Sequence, residues 1–325
     1  MNTDLFFSIC SNNYLAQATV LRNSIRQFHP GIPFILFLCD QKLPSLNYQT
    51  VADEVIEIEK IESSFESLAL KYNIVELNTC LKPRVFEFLF TERKFQRAIF
   101  LDPDIKLFNP LAHLFTSLND ANILLTPHIL SPIPIDEKRP QEQSFLTFGI
   151  YNLGFIGVRH THESLKFLQW WKSRTYAHGN MDTYHGNYVD QLPMNQAPLF
   201  FRSVLILSDR GLNMAPWNLH ERWLTNSNGQ WMVNEMESLK FYHFSSFIAG
   251  KPELPVHHYN RFTLKDRPDL LVIYQEYNKN LIESGYNQFQ QLTNAYANLR
   301  RQHLRKIRRQ KWIRKFLPLA FFYIL

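Results

Sequence analysis

Ile99-Phe100-Leu101-Asp102-Pro103-Asp104 is an unbroken apolar run that ends on two carboxylates. An apolar run with almost no polar alternation indicates a strand that is buried on both faces of a sheet. Open α/β sheets bind their ligands at the carboxyl ends of the strands. The sequence therefore predicts a strand over residues 97–101 that delivers Asp102 and Asp104 to a binding edge.

The segments on either side of this strand complete an α/β pattern. The chain has 325 residues, which is enough for one large α/β domain with a modest appendage. Apolar runs separated by helical periods indicate strands and helices in alternation. Strands are predicted at residues 5–10, 33–39, 55–58, 97–101, 123–126, 154–158, 204–208 and 241–244, and helices at residues 14–28, 75–93, 163–174 and 269–299.

The D-x-D pair of Asp102 and Asp104 suits a divalent cation. Pro103 fixes one backbone angle between them, and two like charges at one strand end are costly unless a cation lies nearby. Carboxylates with an open coordination shell suit magnesium or manganese on substrate phosphates. No G-x-G-x-x-G or P-loop motif is present, so a bound diphosphate would need a metal. Asp-Pro-Asp is also a good turn sequence, so capping of the next turn is the alternative.

Other polar motifs are candidates for the same site. An imidazole at His243 would favour manganese beside two carboxylates, and Lys251, after a glycine, supplies a point charge for a phosphate. For both residues an ordinary core or surface position is the alternative. Three further segments suit ligand binding: Tyr151–Gly157, Asp190-Gln191 and Trp217–Arg222. Their respective alternatives are tight packing of a helix on a strand, a helix cap and a solvated helix start.

The order of the motifs resembles glycosyltransferase family 8, the group of glycogenin and the bacterial lipopolysaccharide galactosyl- and glucosyltransferases. The resemblance covers roughly residues 5–255 and rests on Ser11-Asn12-Asn13, Phe100–Asp104, Asn152–Gly154, Asp190-Gln191, and His243 with Gly250-Lys251-Pro252. It implies a GT-A fold, a Rossmann-like mixed sheet flanked by helices. The implied parts are a GT-A catalytic domain at residues 1–260 (nucleotide-binding half about 1–110, acceptor half about 111–260), a helical extension at 261–299 and a basic-aromatic tail at 300–325.

The resemblance also implies a role for each motif residue. Asp102, Asp104 and His243 would ligate Mn²⁺ (or Mg²⁺). The loop between His243 and Gly250 is longer than is usual in the family. The loop that folds over the diphosphate is therefore expected to differ from that of family members. The residues implied to contact the nucleotide-sugar donor are Ser11, Asn12, Asn13, Asp40, Arg84, Asp102, Gly154 and Lys251. The residues implied to surround the transferred sugar, as catalytic residues, are Asn152, Asp190 and Gln191.

The activity implied by the resemblance is transfer of a sugar from a nucleotide diphosphate donor with retention of the anomeric configuration. UDP is the usual carrier in the family. The acceptor would be a saccharide, a glycolipid or a protein. An inverting GT-A transferase and a nucleotide-sugar-binding protein without catalysis are the alternatives.

The C-terminal tail differs in composition from the rest of the chain. Residues 300–315 contain nine of the 35 Lys and Arg residues, so the rest carries three more acidic than basic side chains, which argues against a nucleic-acid partner. Basic residues interleaved with and followed by apolar ones are typical of a helix on an anionic membrane, with a disordered or protein-packed tail as the alternative. Three scattered cysteines suit a reducing compartment. We expect a cytoplasmic protein, peripheral on the inner face of the cytoplasmic membrane.

Overall fold

The computed structural model describes residues 3–251 and 259–316, with side chains described as far as Trp312. Its strands are β1 (Asp4–Cys10), β2 (Phe34–Leu38), β3 (Glu54–Glu57), β4 (Arg97–Leu101), β5 (Ile105–Leu107), β6 (Ile123–Pro127), β7 (Tyr151–Arg159), β8 (Val204–Ile206), β9 (Leu224–Ser227), β10 (Gln230–Val233), β11 (Glu237–Ser238) and β12 (Phe241–His243). Its α-helices are α1 (Leu15–Phe28), α2 (Phe65–Lys71), α3 (Ile74–Cys80), α4 (Lys82–Thr91), α5 (Ala112–Ser117), α6 (Glu142–Phe148), α7 (His162–His178), α8 (Ala197–Phe200), α9 (Leu271–Glu283), α10 (Tyr286–Phe289) and α11 (Ala295–Phe316).

A seven-stranded mixed sheet in the order β3-β2-β1-β4-β7-β6-β8 forms the centre of the fold. The strands from β3 to β4 run parallel, whereas β7 runs antiparallel to both of its neighbours. β1, β2 and β4 are almost entirely buried, as their unbroken apolar sequences predict. The predicted α/β class with a mixed sheet is confirmed.

Helices cover both faces of this sheet. Side chains alternate along β1, so that Leu5 and Phe7 pack on one face with residues of α2, α3, α4 and α7. Phe6 and Cys10 pack on the other face with residues of α1 and α5. The parallel strands β2, β1 and β4 are therefore fixed between two apolar layers, and their carboxyl ends meet at one edge.

Two helical segments differ from their predictions. The helix predicted at residues 75–93 is divided into α3 and α4 at Leu81, and Pro83 lies in the first turn of α4, where the lack of an N–H is tolerated. The helical region predicted at 269–299 consists of α9, α10 and the start of α11. α11 continues to Phe316, so one helix joins the predicted extension to the predicted tail. Residues 317–325 of that tail lie outside the described residues.

A two-stranded antiparallel pair, β5 with β12, follows the end of β4. Ile105 of β5 lies opposite His243 of β12, and the amide of Phe244 donates to the carbonyl of Asp104 at 2.9 Å. This pairing brings a distant part of the sequence to the end of β4. Within the described residues, no helix combines the length and apolar character needed to cross a membrane.

Candidate metal and donor site

The three predicted metal ligands meet at the carboxyl end of β4. His243 Nε2 lies 3.1 Å from Asp104 Oδ1 and 3.8 Å from Asp102 Oδ2. One ligand atom from each residue lies within 4.8 Å of the other two. Neighbouring ligands of one octahedral ion at about 2.1 Å are about 3 Å apart. The three side chains therefore fit one divalent cation with little rearrangement.

Gly154 leaves the space that the imidazole of His243 occupies. A Cβ at position 154 would collide with Cε1 of His243 and lie 2.7 Å from its Nδ1. Trp217 contacts the same ring edge-on, with the ring centroids 5.1 Å apart. The Gly154 carbonyl also accepts a hydrogen bond from the amide of Asp102 at 2.7 Å. A glycine is therefore needed here to bring His243 and Asp102 together.

The positive charges around the carboxylate of Asp102 do not fully compensate its burial. Burial lowers the pKa of His243, but the carboxylates of Asp104 and Asp102 raise it by more, so the net shift of the pKa is upward. Burial raises the pKa of Asp102 in spite of the opposing charges of Lys82 and His243. A divalent cation would supply the missing charge.

Lys82 of α4 is a residue of this site that sequence reasoning missed. Its ammonium group, on a side chain 3% exposed, lies 3.0 Å from Asp190 Oδ2 and 3.8 Å from Asp102 Oδ1. It donates to the Leu153 carbonyl at 2.8 Å and lies over the Phe100 ring. A buried ammonium group is tolerated only when it is paired and hydrogen-bonded. Lys82 therefore connects the candidate metal ligand Asp102 with the candidate catalytic residue Asp190.

Arg84, two positions further along α4, does not join this cluster. Its guanidinium contacts Glu62 at 3.6 Å, Glu92 at 3.1 Å and the carbonyl of Ile61 at 2.6 Å. Residues two apart on a helix point to different sides. The structure thus brings Lys82 to the candidate site, whereas the resemblance implied Arg84.

The candidate catalytic residues Asp190 and Gln191 lie next to Leu153. Gln191 Oε1 accepts from the Leu153 amide at 3.3 Å, and Gln191 Nε2 donates to the Phe148 carbonyl at 2.6 Å, which fixes the side-chain amide. Asp190 is 1% exposed, and burial raises its pKa to about 6 in spite of Lys82. Asp190 Oδ2 is paired with the Lys82 ammonium group, which lies 3.0 Å away.

A buried polar network continues from Asn152, the third candidate catalytic residue. Asn213 donates to Asn152 Oδ1 at 3.0 Å, and His128 Nε2 lies 3.2 Å from Asn152 Nδ2. Burial lowers the pKa of His128 to about 3, so this imidazole is neutral near pH 7. Buried polar atoms of this kind usually have partners, and those without one indicate where a ligand or water completes the bonds. Around the site, buried atoms without a hydrogen-bond partner in the described part of the chain include His128 Nδ1, Asn213 Oδ1, Trp217 Nε1 and His243 Nδ1.

Two of the predicted nucleotide residues, Asp40 and Asn12, are turned into the fold at the ends of β2 and β1. Asp40 is 2% exposed and accepts from the amides of Asn12 at 3.3 Å, Gln41 at 2.9 Å and Ala295 at 3.0 Å. The side chain of Asn12 donates to the Gln41 carbonyl at 2.8 Å and accepts from the Tyr48 hydroxyl at 2.7 Å. Both side chains therefore use their polar atoms in bonds within the protein.

Asn13 and Tyr14 form the outward part of the same segment. Ser11 is buried and donates to Asn13 Oδ1 at 3.0 Å, whereas Tyr14 is 42% exposed. Lys251 is exposed at the point where the described residues stop. Asn13 and Tyr14 line a cavity of about 300 Å³, whose other lining residues are Gln17, Ser246, Phe247, Ile248, Tyr286 and Gln290. The walls of this cavity thus come from the predicted nucleotide segment, the loop after His243 and the C-terminal extension.

Comparison with known proteins identifies relatives over most of the chain. No family model matches. YfnF of Bacillus subtilis (strain 168), an uncharacterized protein, is 25% identical over 287 residues, which cover 84% of this chain and 91% of YfnF. YfnD of the same organism, also uncharacterized, is 26% identical over 296 residues, which cover 86% of this chain and 89% of YfnD.

Two solved glycosyltransferase structures match this chain at low sequence identity. The glycosyltransferase GlyE of Streptococcus pneumoniae TIGR4 matches with a TM-score of 0.51 at 14% identity, over 87% of this chain and 63% of that chain. The galactosyltransferase LgtC, solved with donor and acceptor sugar analogs, matches with a TM-score of 0.46 at 16% identity, over 85% of this chain and 95% of that chain. The similarity to GlyE shows that the fold is the expected GT-A arrangement of a mixed sheet flanked by helices.

Proposed function

We propose that this protein is a metal-dependent glycosyltransferase similar to family 8. It would transfer a sugar from a nucleotide diphosphate donor, with UDP as the first carrier to test, to a saccharide, glycolipid or protein acceptor. The observation that carries the proposal is the convergence of Asp102, Asp104 and His243 at the end of β4. Two carboxylates and an imidazole form a ligand set that suits Mn²⁺ or Mg²⁺ on a diphosphate.

The metal ligands and Lys82 would stabilise different parts of the negative charge on the donor. A divalent ion bound by Asp102, Asp104 and His243 would supply a Lewis acid that stabilises charge on the departing diphosphate. Lys82 adds a fixed positive charge, which the Leu153 carbonyl holds in a buried position. Charges that are already oriented need no rearrangement as the reaction proceeds, which is why they are effective in catalysis.

In the proposed transfer, the bond between the anomeric carbon and a diphosphate oxygen breaks while the acceptor hydroxyl oxygen bonds to that carbon. The acceptor proton passes to the departing diphosphate. Asp190 and Gln191 would lie beside the anomeric carbon, with the Gln191 amide already oriented by Leu153 and Phe148. Attack on the face that the nucleotide leaves retains the configuration. The anomer of the product, read by NMR, distinguishes this course from inversion.

We also propose that α11 binds the anionic inner face of the cytoplasmic membrane. An exposed basic helix is attracted to anionic lipid by its charge. Leu304 and Ile307 are half-buried on the same helix. The exposed basic residues of α11 are Arg301, Arg305, Lys306, Arg308, Arg309 and Lys311.

We propose no nucleic-acid partner, because the net charge outside the tail is slightly negative.

A screen of nucleotide sugars with Mn²⁺, read as donor hydrolysis, tests the proposed function. We expect one donor to be hydrolysed, hydrolysis to stop with chelator, and excess Mn²⁺ to restore it. Asp104→Ala removes a ligand but leaves the backbone pairing of β5 with β12, so hydrolysis should fall by about 10³-fold while the fold persists. Full hydrolysis by that variant in the presence of chelator would refute the metal role.

A further inference from the structure

The start of α11 is hydrogen-bonded to the residues that follow strand β2 of the seven-stranded sheet. The Ala295 amide donates to Asp40 Oδ1 at 3.0 Å, and Asn294 Nδ2 donates to the Cys39 carbonyl at 2.8 Å. Asn294 is 7% exposed, and its Oδ1 accepts from the Ala297 amide at 2.9 Å, which is the bond of a helix N-cap. Two successive residues of the C-terminal extension are therefore joined to two successive residues of the nucleotide-binding half.

Asp40 carries this connection to the predicted nucleotide segment. Asp40 Oδ2 accepts from the Asn12 amide at 3.3 Å, while Oδ1 accepts from Gln41 and from the first turn of α11. The positive end of a helix dipole stabilises a carboxylate in this position. Because Asn12 is held by Asp40 and by the Gln41 carbonyl, the position of the next residues, Asn13 and Tyr14, depends on the same bonds.

The cavity that Asn13 and Tyr14 line has the chemistry of a nucleoside site. Its described lining consists of uncharged amide, hydroxyl, aromatic and aliphatic side chains. Amide groups pair with the edge of a nucleobase and aromatic rings stack on its face. Tyr286 and Gln290 of the extension contribute to this lining. The charged phosphates would instead lie at the carboxylate and lysine end.

We propose that Asn294, with the first turn of α11, is a positioning residue of the donor-nucleotide site. It holds Asp40 and Asn12 so that Asn13 and Tyr14 face the nucleoside. This inference rests on the proposed function. The C-terminal extension then belongs to the donor site and is more than the appendage that the sequence predicts at residues 261–299.

Tyr296 provides a matched control, because its side chain fastens the same helix without a hydrogen bond to Asp40 or Asn12. Its ring packs edge-on against Phe65 with centroids 4.7 Å apart, and its hydroxyl contacts Glu59. The hydroxyl also interacts with the side chain of Gln41. Tyr296→Phe removes these hydroxyl contacts and leaves every hydrogen bond of Asp40 in place.

The test measures nucleotide affinity on the full chain by calorimetry. UDP, dTDP and GDP, each with Mn²⁺, are titrated into the wild type, and the one that binds is the probe. For Asn294→Ala we expect the nucleotide Kd and the donor KM to rise about tenfold, with kcat within about twofold, because one cap and one buried hydrogen bond are lost far from Asp190. For Tyr296→Phe we expect a lower Tm with Kd and KM unchanged.

An Asn294→Ala protein with a lower Tm but the wild-type Kd would overturn this inference. An equal rise of Kd in Tyr296→Phe would overturn it as well, since loosening of the helix alone would then explain the effect. If Asn294→Ala does not fold, Asn294→Ser keeps a capping oxygen and loses the donor to Cys39, so the same criteria apply to it. A wild type that binds none of the three nucleotides with Mn²⁺ would instead count against the proposed function itself.

Discussion

The proposed metal end of β4 and the proposed nucleotide end of β2 lie on the same edge of one sheet, but their buried polar groups are satisfied differently. At the proposed metal end, His243 Nδ1 and Asn213 Oδ1 are buried and have no hydrogen-bond partner in the described residues. At the proposed nucleotide end, both carboxylate oxygens of Asp40 accept hydrogen bonds, and the side-chain nitrogen and oxygen of Asn12 each form one. Satisfied buried groups stabilise a fold, and unsatisfied ones indicate a ligand. A polar residue at this edge of the sheet can therefore either bind a ligand or hold the protein's own backbone in place.

Changing one carboxylate to an amide at each end has the largest expected effect and tests this difference. Asp102→Asn should reduce donor hydrolysis by about 10³-fold and leave the Tm unchanged or higher, because it removes one of two like charges. Asp40→Asn should cost about 1–3 kcal/mol of unfolding free energy, because an amide NH₂ then faces backbone amide donors. Thermal melts and donor hydrolysis on the same samples measure both. If Asp40→Asn lowers kcat as much as Asp102→Asn does, the proposed difference between the two strand ends is wrong.

The next largest effect is expected at α4, where two basic residues lie two positions apart. Lys82→Met leaves the buried carboxylate of Asp190 unpaired, so we expect a loss of about 3 kcal/mol of unfolding free energy and about 10²-fold in donor hydrolysis. Arg84→Met removes ion pairs with Glu62 and Glu92 only, and should cost about 1 kcal/mol with hydrolysis unchanged. Chemical unfolding and hydrolysis assays check both variants. If Arg84→Met loses as much hydrolysis as Lys82→Met, the donor contact that the resemblance implied for Arg84 would be supported instead.

A smaller effect is expected from the pH dependence of Asp190. Burial raises its pKa to about 6 in the folded protein, above the ordinary value of 3.8. Protonation therefore favours the folded state, and the stability that Asp190 contributes is complete below about pH 4 and lost as the pH rises through about 6. Urea unfolding of the wild type should show this loss, and Asp190→Asn should lack it. An identical pH profile in the variant would assign the titration to another group.

The smallest effect on hydrolysis is expected in the tail. Replacing Arg305, Arg308 and Arg309 by Gln should leave hydrolysis of a soluble donor unchanged, because these residues lie beyond the contacts of α11 with Asp40. It should weaken binding to phosphatidylglycerol vesicles by about 10²-fold, at about 1 kcal/mol per charge. Sedimentation with vesicles measures this. The matched control replaces three exposed lysines of the body by Gln: Lys166, Lys265 and Lys279. Equal vesicle binding by both triple variants would end the membrane proposal.

The sequence predicted the elements whose patterns are local. The strand at residues 97–101 matches β4 in both bounds, because an apolar run bounded by Asp-Pro-Asp is distinctive. The pairing of β5 with β12 was not predicted, since three-residue strands have too little pattern. The resemblance nevertheless named the three residues that meet there, and their roles as metal ligands stay predictions.

The residues that sequence reasoning missed or assigned differently depend on contacts over long distances in the chain. Nothing in a Lys-Pro pair shows that the Lys82 ammonium is buried between two carboxylates. The bond between Asp40 and Ala295 joins residues 255 positions apart. No periodicity or spacing reports such a contact, so the resemblance implied a donor contact where the structure shows a buried link to α11.

Titration of the full chain with Mn²⁺, followed by electron paramagnetic resonance in the presence of the nucleotide that binds, shows whether Asp102, Asp104 and His243 hold one metal ion. We expect one bound Mn²⁺ per wild-type chain, loss of that binding in Asp104→Ala and His243→Ala, and its retention in Asp40→Asn. Wild-type Mn²⁺ binding by His243→Ala, or no stoichiometric binding by the wild type, would contradict it.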